Sequence, residues 1–147
     1  MFHSLLVDKK SSKLLKFKMC ARTADAVLIE GRNILLIKRK NDPFKGFWAL
    51  PGGFLEPGED SKDACIRELF EEAGILGKIV KFTGTYSKPG RDPRGNTISD
   101  AYLVEVIDKR KEGAGDDAQD IEWFSLDDLP KLAFDHEEII ADARKLV

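Results

Sequence analysis

Three glutamates with helical spacing are the residues of this chain best suited to chemistry. Glu68, Glu71 and Glu72 occupy positions i, i+3 and i+4, which are neighbours on the surface of an α-helix. Such carboxylates repel one another, but a divalent cation reverses this, because Mg²⁺ prefers oxygen ligands and often keeps substrate phosphate oxygens in its coordination shell. The alternative interpretation is a solvated acidic face, with Arg67 as a partial counter-charge.

A helix and the glycine-rich loop before it must position these carboxylates. Asp60 or Ser61 can cap the start of the helix, and Gly74 suits the left-handed residue after its end. The glycines of residues 51–58 allow the backbone to approach the helix closely, so a main-chain carbonyl can act as a further metal ligand. At about 100° per residue, the helix has an apolar arc of roughly 140° that should face a core. This arc contains Cys65, Ile66, Leu69, Phe70 and Ala73.

The loop and helix together resemble the Nudix box. Gly53, Glu59 and the run from Arg67 to Ile75 fill every fixed position of that motif at the required spacing. The resemblance implies an α/β fold, the Nudix α/β/α sandwich, with a mixed sheet between helices. It places the box helix on one face of the sheet and the final helix on the other.

The same resemblance implies roles for the residues of the box. Glu68 and Glu72 would bind Mg²⁺, for which Mn²⁺ could substitute, with the Gly52 carbonyl as a further ligand. Glu71 would be either another metal ligand or the group that accepts the proton of the attacking water.

Two further box residues would support these carboxylates. Arg67 is included among the catalytic residues, because it would orient a box carboxylate through a bidentate pair. Glu59 would support the loop or the metal ligands from behind.

Segments outside the box resemble the ADP-ribose pyrophosphatase subgroup. The residues from Tyr86 to Tyr102 look like its downstream signature and include a long polar loop with two prolines; loops of that length are often functional. Arg91 and Arg94 would contact a diphosphate or a terminal phosphoribose, and a charged surface loop is the alternative. Arg39 resembles the arginine that many Nudix enzymes hold over the active site to contact phosphates, as its planar guanidinium suits phosphate oxygens.

Other candidates carry weaker signals. Trp48 is either a packing residue or a flank for a bound base or ribose. The acidic loop of residues 112–118 also resembles the subgroup, and Asp117 is its candidate for substrate contact, beside Asp116 and Glu122. His136, near the start of the last helix, is assigned a structural role.

The elements expected around the box follow from hydrophobic runs and turn signals. Strands are expected at residues 26–29, 34–37, 47–50, 77–86, 97–106 and 121–124. A one-turn helix is expected at 125–130 and a final helix at 137–146.

Length and composition indicate one domain spanning residues 1–147, with 42% hydrophobic and 34% charged residues. The net charge of −2 gives no electrostatic case for nucleic acid or membrane as a partner. No signal-peptide core is recognisable, so a cytoplasmic location is expected. The basic residues 1–22 are expected to form a surface strand or arm, and the alternative, which the resemblance supports, is an arm that exchanges with a second subunit to make a homodimer.

Three functions remain open at this point. The first is divalent-metal-dependent hydrolysis of ADP-ribose, a small nucleotide substrate, to AMP and ribose 5-phosphate. The second is a Nudix pyrophosphatase for an oxidised nucleoside triphosphate, a dinucleoside polyphosphate or NADH. The third is a non-catalytic nucleotide sensor, although no further DNA-binding module is expected after the last helix.

Overall fold

The computed structural model describes residues 20–109 and 120–147. Within these residues it contains seven strands and two helices. The strands are β1 (Ala21–Glu30), β2 (Asn33–Lys38), β3 (Trp48–Ala49), β4 (Gly52–Phe54), β5 (Leu76–Tyr86), β6 (Thr97–Asp108) and β7 (Ile121–Ser125), and the helices are α1 (Ser61–Ala73) and α2 (His136–Arg144).

The strands form one mixed sheet in the order β3-β2-β1-β6-β5, with β4 paired to β1 and β7 paired to β2. β1 and β6 run parallel, and the other pairs are antiparallel. The register of β1 with β4 sets Thr23 opposite Phe54, and Asp25 opposite Gly52. The central strand therefore holds the glycine-rich segment in place.

Each face of the sheet carries its own core, because successive strand side chains point to opposite faces. On one face Ala24, Ala26 and Leu28 pack with α1, and on the other Val27 packs with α2. The buried helix residues are Ala64, Cys65, Leu69 and Ala73 of α1, and Ile139, Ile140 and Ala143 of α2. The predicted α/β/α sandwich, with the box helix and the final helix on opposite faces, is confirmed.

Helix α1 begins and ends as expected. Asp60 accepts a hydrogen bond from the Asp63 N–H at 2.9 Å, and Gly74 has a φ of 70°. The prediction that Phe70 faces the core is wrong, since its side chain is 42% exposed. The buried side of α1 includes Ser61 and Ala64, and Phe70 lies at the edge of that side.

Two boundaries differ from the sequence-based expectation. After β7, residues 126–128 form a turn rather than the one-turn helix expected at 125–130, with the Asp128 N–H bonded to the Ser125 carbonyl at 3.0 Å and the Asp127 N–H bonded to the Ser125 hydroxyl at 3.1 Å. Helix α2 spans His136–Arg144 and is shorter than predicted.

Most of the basic N-terminal segment, including residues 1–19, lies outside the described residues, as does the acidic loop with Asp116 and Asp117. In the described part of the chain, no helix has both the length and the apolar character needed to cross a bilayer.

Candidate active site

The glycine-rich segment is clamped between β1 and α1. Ala26 N–H donates to the Pro51 carbonyl at 2.8 Å, and Gly52 N–H donates to Glu72 Oε1 at 2.9 Å. A Cβ at position 52 would collide with the Ala24 carbonyl and the Asp25 carboxylate. Only glycine therefore fits where the loop passes closest to the sheet.

Glu68 and Glu72 form a pair of carboxylates beside this segment. A Cβ at Gly53 would lie 2.5 Å from Glu68 Oε2. Burial, followed by the charge of Glu68, raises the pKa of Glu72 to about 8. Burial is also the main cause that raises the pKa of Glu68. Burial thus makes it costly to ionise both carboxylates unless a cation binds close to the two of them.

The donor set fits a hard divalent cation. Within residues 20–109 and 120–147, no group of three or more acidic, histidine or cysteine side chains is arranged to hold a metal by itself. The ligands available are Glu68, Glu72 and main-chain oxygens of the Gly52 segment. Mg²⁺ ordinarily completes such a set with waters and substrate phosphate oxygens. The Glu71 carboxylate is on the outer side of the helix and is 56% exposed.

Arg67 ties the acidic residues of the box together. Its Nε and Nη2 donate to the two oxygens of Glu59 at 2.8 and 2.9 Å. Its Nη1 donates to Glu68 at 3.2 Å and to Glu71 at 3.1 Å, and Nη2 also donates to the Phe54 carbonyl. One guanidinium therefore fixes the helix carboxylates relative to the loop.

A cleft of about 240 Å³ opens beside Glu72. Arg39 and Arg94 line it and approach the Phe134 ring, with their Cζ atoms 5.0 and 5.8 Å from its centroid. Burial and the charge of Arg94 lower the pKa of Arg39. The cleft is thus lined both by the Glu72 carboxylate and by the guanidinium groups of Arg39 and Arg94, a combination that suits a metal–diphosphate unit.

Two arginines of the long polar loop, Arg91 and Arg94, are held by aspartates. Arg91 donates from Nε and Nη2 to Asp135 at 2.8 and 2.6 Å, and from Nη1 to Thr97 at 2.8 Å. Arg94 donates to Asp92 at 3.1 and 2.8 Å. Arg91 is only 5% exposed, whereas Arg94 is 39% exposed, so Arg94 is the better placed of the two for a ligand.

Trp48, another predicted residue, is not among the described residues that line the cleft. The Trp48 ring packs edge-on against Phe124, with centroids 4.7 Å apart. This contact accounts for Trp48 as a packing residue. Asp117 lies outside the described residues.

The fold brings to the cleft residues to which sequence reasoning gave no part in the site. Asp25 lines it and is buried, and its carboxylate accepts a hydrogen bond from Ser99 Oγ. His136 also lines it, and its Nδ1 accepts from Leu50 N–H at 3.0 Å. A lone aspartate inside the apolar run of β1 was the available signal for Asp25. Phe134 had a weaker signal, because its place in the cleft depends on tertiary contacts.

Comparison with known proteins places the chain in a family. A NUDIX domain model matches residues 19–143. The chain belongs to the Nudix family. Nudix hydrolases use divalent metals, which agrees with the carboxylate pair described above.

Two of the proteins similar to this chain have ADP-ribose pyrophosphatase in their names. An ADP-ribose pyrophosphatase of Methanocaldococcus jannaschii is 48% identical, over 90% of this chain and 80% of the relative. The Francisella tularensis bifunctional NMN adenylyltransferase/ADP ribose pyrophosphatase, solved with AMP and a Mn ion, is 35% identical with a TM-score of 0.76. The match covers 90% of this chain but only 44% of the Francisella chain.

A third relative was solved with a ligand named in its description. The NUDIX domain of Shewanella oneidensis NrtR, complexed with ADP ribose, is 28% identical with a TM-score of 0.73. The match covers 96% of this chain and 94% of that domain. The Nudix fold of this chain is therefore shared with proteins of more than one role.

Proposed function

We propose that this Nudix hydrolase cleaves the diphosphate of ADP-ribose to give AMP and ribose 5-phosphate. The observation that carries the proposal is the cleft that Glu72, bonded to the Gly52 segment, lines together with Arg39 and Arg94. The names and bound ligands of the relatives support the choice of substrate.

The reaction transfers a phosphoryl group to water. The water oxygen bonds to one phosphorus, the bond between that phosphorus and the bridging oxygen breaks, and the bridging oxygen leaves with the other phosphate. A carboxylate accepts the proton that the water loses. A bound divalent cation would neutralise phosphate oxygens and lower the pKa of the attacking water. Glu68 and Glu72, with the Gly52 carbonyl, would hold that cation. Mg²⁺ is the proposed ion, with Mn²⁺ as a substitute.

Glu71 has two possible roles, which one pair of measurements separates. Its carboxylate lies 3.1 Å from Arg67 Nη1 on the exposed side of α1. As a metal ligand, Glu71→Gln would weaken Mn²⁺ binding. As the proton acceptor, Glu71→Gln would lower kcat and change its pH profile while Mn²⁺ affinity stayed constant.

The arginines of the cleft serve the substrate and the loop differently. Arg39 and Arg94 are proposed to contact the diphosphate, because both guanidinium groups line the cleft. Arg91 keeps its nitrogens on Asp135 and Thr97, and it therefore holds the loop in position. The proposed contacts of Trp48 and Asp117 with substrate remain predictions.

The wider setting is also proposed. The enzyme is a cytoplasmic homodimer in this proposal, joined through the N-terminal strands. Its two cysteines, Cys20 and Cys65, are free thiols, as is usual in a reducing compartment.

A turnover assay with Mg²⁺ tests the proposed reaction. ADP-ribose, 8-oxo-dGTP, diadenosine tetraphosphate and NADH are supplied separately, and products are resolved by chromatography. AMP and ribose 5-phosphate should form fastest from ADP-ribose, and Glu72→Gln should lose most of that rate. Lys62→Gln, a matched change at an exposed residue on the same helix, should keep it.

Other outcomes contradict specific parts of the proposal. Faster cleavage of another compound would keep the hydrolytic chemistry but overturn the choice of ADP-ribose. Tight ADP-ribose binding without AMP release, with either Mg²⁺ or Mn²⁺, would indicate a sensor instead of an enzyme.

A further inference from the structure

Rings and guanidinium groups alternate along one wall of the cleft, in the order Arg39, Phe134, Arg94 and Phe54. The Arg39 Cζ is 5.0 Å from the Phe134 centroid. The Arg94 Cζ is 5.8 Å from the Phe134 centroid and 5.4 Å from the Phe54 centroid. Each distance is within the range in which a cation is attracted to a ring face. We call these four residues the aromatic–arginine stack.

The stack is fixed by contacts behind it. Arg94 donates to both oxygens of Asp92, whose side chain is 3% exposed. Arg39 Nε donates to the Pro43 carbonyl at 2.7 Å. Phe134 makes an edge contact with Phe44, with centroids 4.9 Å apart. A ligand would therefore meet a preorganised surface, and ordering these side chains would not add to the cost of binding.

The two phenylalanines are unusual in different ways, Phe134 in its backbone conformation and Phe54 in its exposure. Phe134 has a φ of 53°, a conformation that bulky residues rarely adopt and that often marks functional sites. Phe54 is 48% exposed and lines the cleft. One end of the aromatic–arginine stack is thus a phenyl ring open to solvent at the active site.

We propose that Phe54 binds the nucleobase of the substrate by stacking, with Arg94 supporting the opposite side of its ring. This proposal rests on the proposed function and adds that Phe54 receives the adenosine half of the substrate. Bases of every kind stack on aromatic side chains through their π-faces. Phe54 follows Gly52 by two residues on β4, a span of about 6–7 Å, so a nucleotide with its phosphate at the carboxylate pair can reach this ring.

The structure also shows the position of Trp48, the aromatic residue that the sequence suggested as a flank for a bound base or ribose. Trp48 packs against Phe124, whereas Phe54 lines the cleft. Of these two aromatic residues, Phe54 therefore has the better position for a base, and it lies on the strand that carries the glycine-rich segment.

Binding of the two product halves tests this assignment. Dissociation constants of AMP and of ribose 5-phosphate are measured by calorimetry on the full chain with Mn²⁺. Phe54→Leu should weaken AMP about tenfold or more and leave ribose 5-phosphate within about twofold. Phe54→Tyr should restore AMP binding. Phe82→Leu is the matched control, because Phe82 is 51% exposed on β5, outside the cleft, and it should change neither constant.

The result that overturns the assignment is an AMP constant unchanged in Phe54→Leu, or AMP and ribose 5-phosphate weakened equally. Thermal unfolding of each variant shows whether a loss comes from the fold, and the tyrosine variant keeps the test valid if the leucine variant is unstable. ADP-ribose turnover is scored separately. AMP binding that depends on Phe54 without turnover would remove the proposed reaction and keep the nucleobase site.

Discussion

The buried carboxylate of Glu72 should make the stability of the metal-free protein depend on pH. Its pKa is about 8 in the folded protein, against an ordinary value of 4.5. Between these values the folded state binds more protons at this site than the unfolded chain does. Stability from this group is therefore full below about pH 4.5 and is lost as pH rises through 8.

The magnitude follows from the shift. Each pH unit in this interval changes the free energy of unfolding by at most about 1.4 kcal/mol. The whole interval amounts to roughly 5 kcal/mol as an upper limit. That is comparable to the entire stability of a small domain, so the effect should be visible without a divalent cation.

The assay is denaturant unfolding in EDTA from pH 5 to 9, for the wild type, Glu72→Gln and Glu71→Gln. The stability of the wild type minus that of Glu72→Gln should fall with rising pH and level off above about pH 8. Glu71→Gln should run parallel to the wild type, because the Glu71 side chain is 56% exposed. Excess Mn²⁺ at pH 8 should stabilise the wild type far more than Glu72→Gln.

A wild-type minus Glu72→Gln difference that stays constant across this range would refute the reasoning. It would mean that the carboxylate is solvated in the folded protein. Burial, the main cause given above for the raised pKa of Glu72, would then not operate at this site.

Three further predictions concern the supports of the site. Arg67→Lys should lower kcat tenfold or more at saturating substrate and metal, because lysine cannot pair with both oxygens of Glu59; an unchanged kcat would contradict this. Gly53→Ala should weaken Mn²⁺ binding in calorimetry with little loss of stability, because the new Cβ displaces the flexible end of Glu68; unchanged affinity would count against it. Burial lowers the pKa of His136, so the stability of the wild type minus that of His136→Asn should fall as pH drops below about 6.5, by up to about 1.4 kcal/mol per unit. His136→Asn should have a flatter acid slope than the wild type in denaturant unfolding, and an identical slope would contradict the prediction.

The elements of the fold were predictable where their signals are local. The cap at Asp60 and the left-handed Gly74 depend on neighbouring residues, and both are as expected. The rotation of α1 about its own axis was not predictable, because it depends on which side chains of the sheet pack against the helix. Ser61 and Ala64 are buried, and burial of these small residues leaves Phe70 exposed.

The residues of the box were predictable for the same reason, since they are close in sequence. The residues that line the rest of the cleft were not predictable in this way. Ala133 N–H bonds to the Trp48 carbonyl at 2.8 Å, and this contact brings Phe134 near Arg39 from almost a hundred positions away. Asp25 reaches Gly52 only through the pairing of β1 with β4. Such residues need the topology before any role can be assigned.

The charges of the cleft explain why metal and substrate should bind together. Burial and Glu68 oppose the ionisation of Glu72, and burial and Arg94 oppose the charging of Arg39. A bound cation would offset the negative charge of Glu68 and Glu72, and an anionic diphosphate would offset the positive charge of Arg39 and Arg94. A complex of the two would do both at once, which neither the cation nor the diphosphate does alone. Because coupling between two ligands is reciprocal, the cation should strengthen diphosphate binding by the same factor by which the diphosphate strengthens binding of the cation.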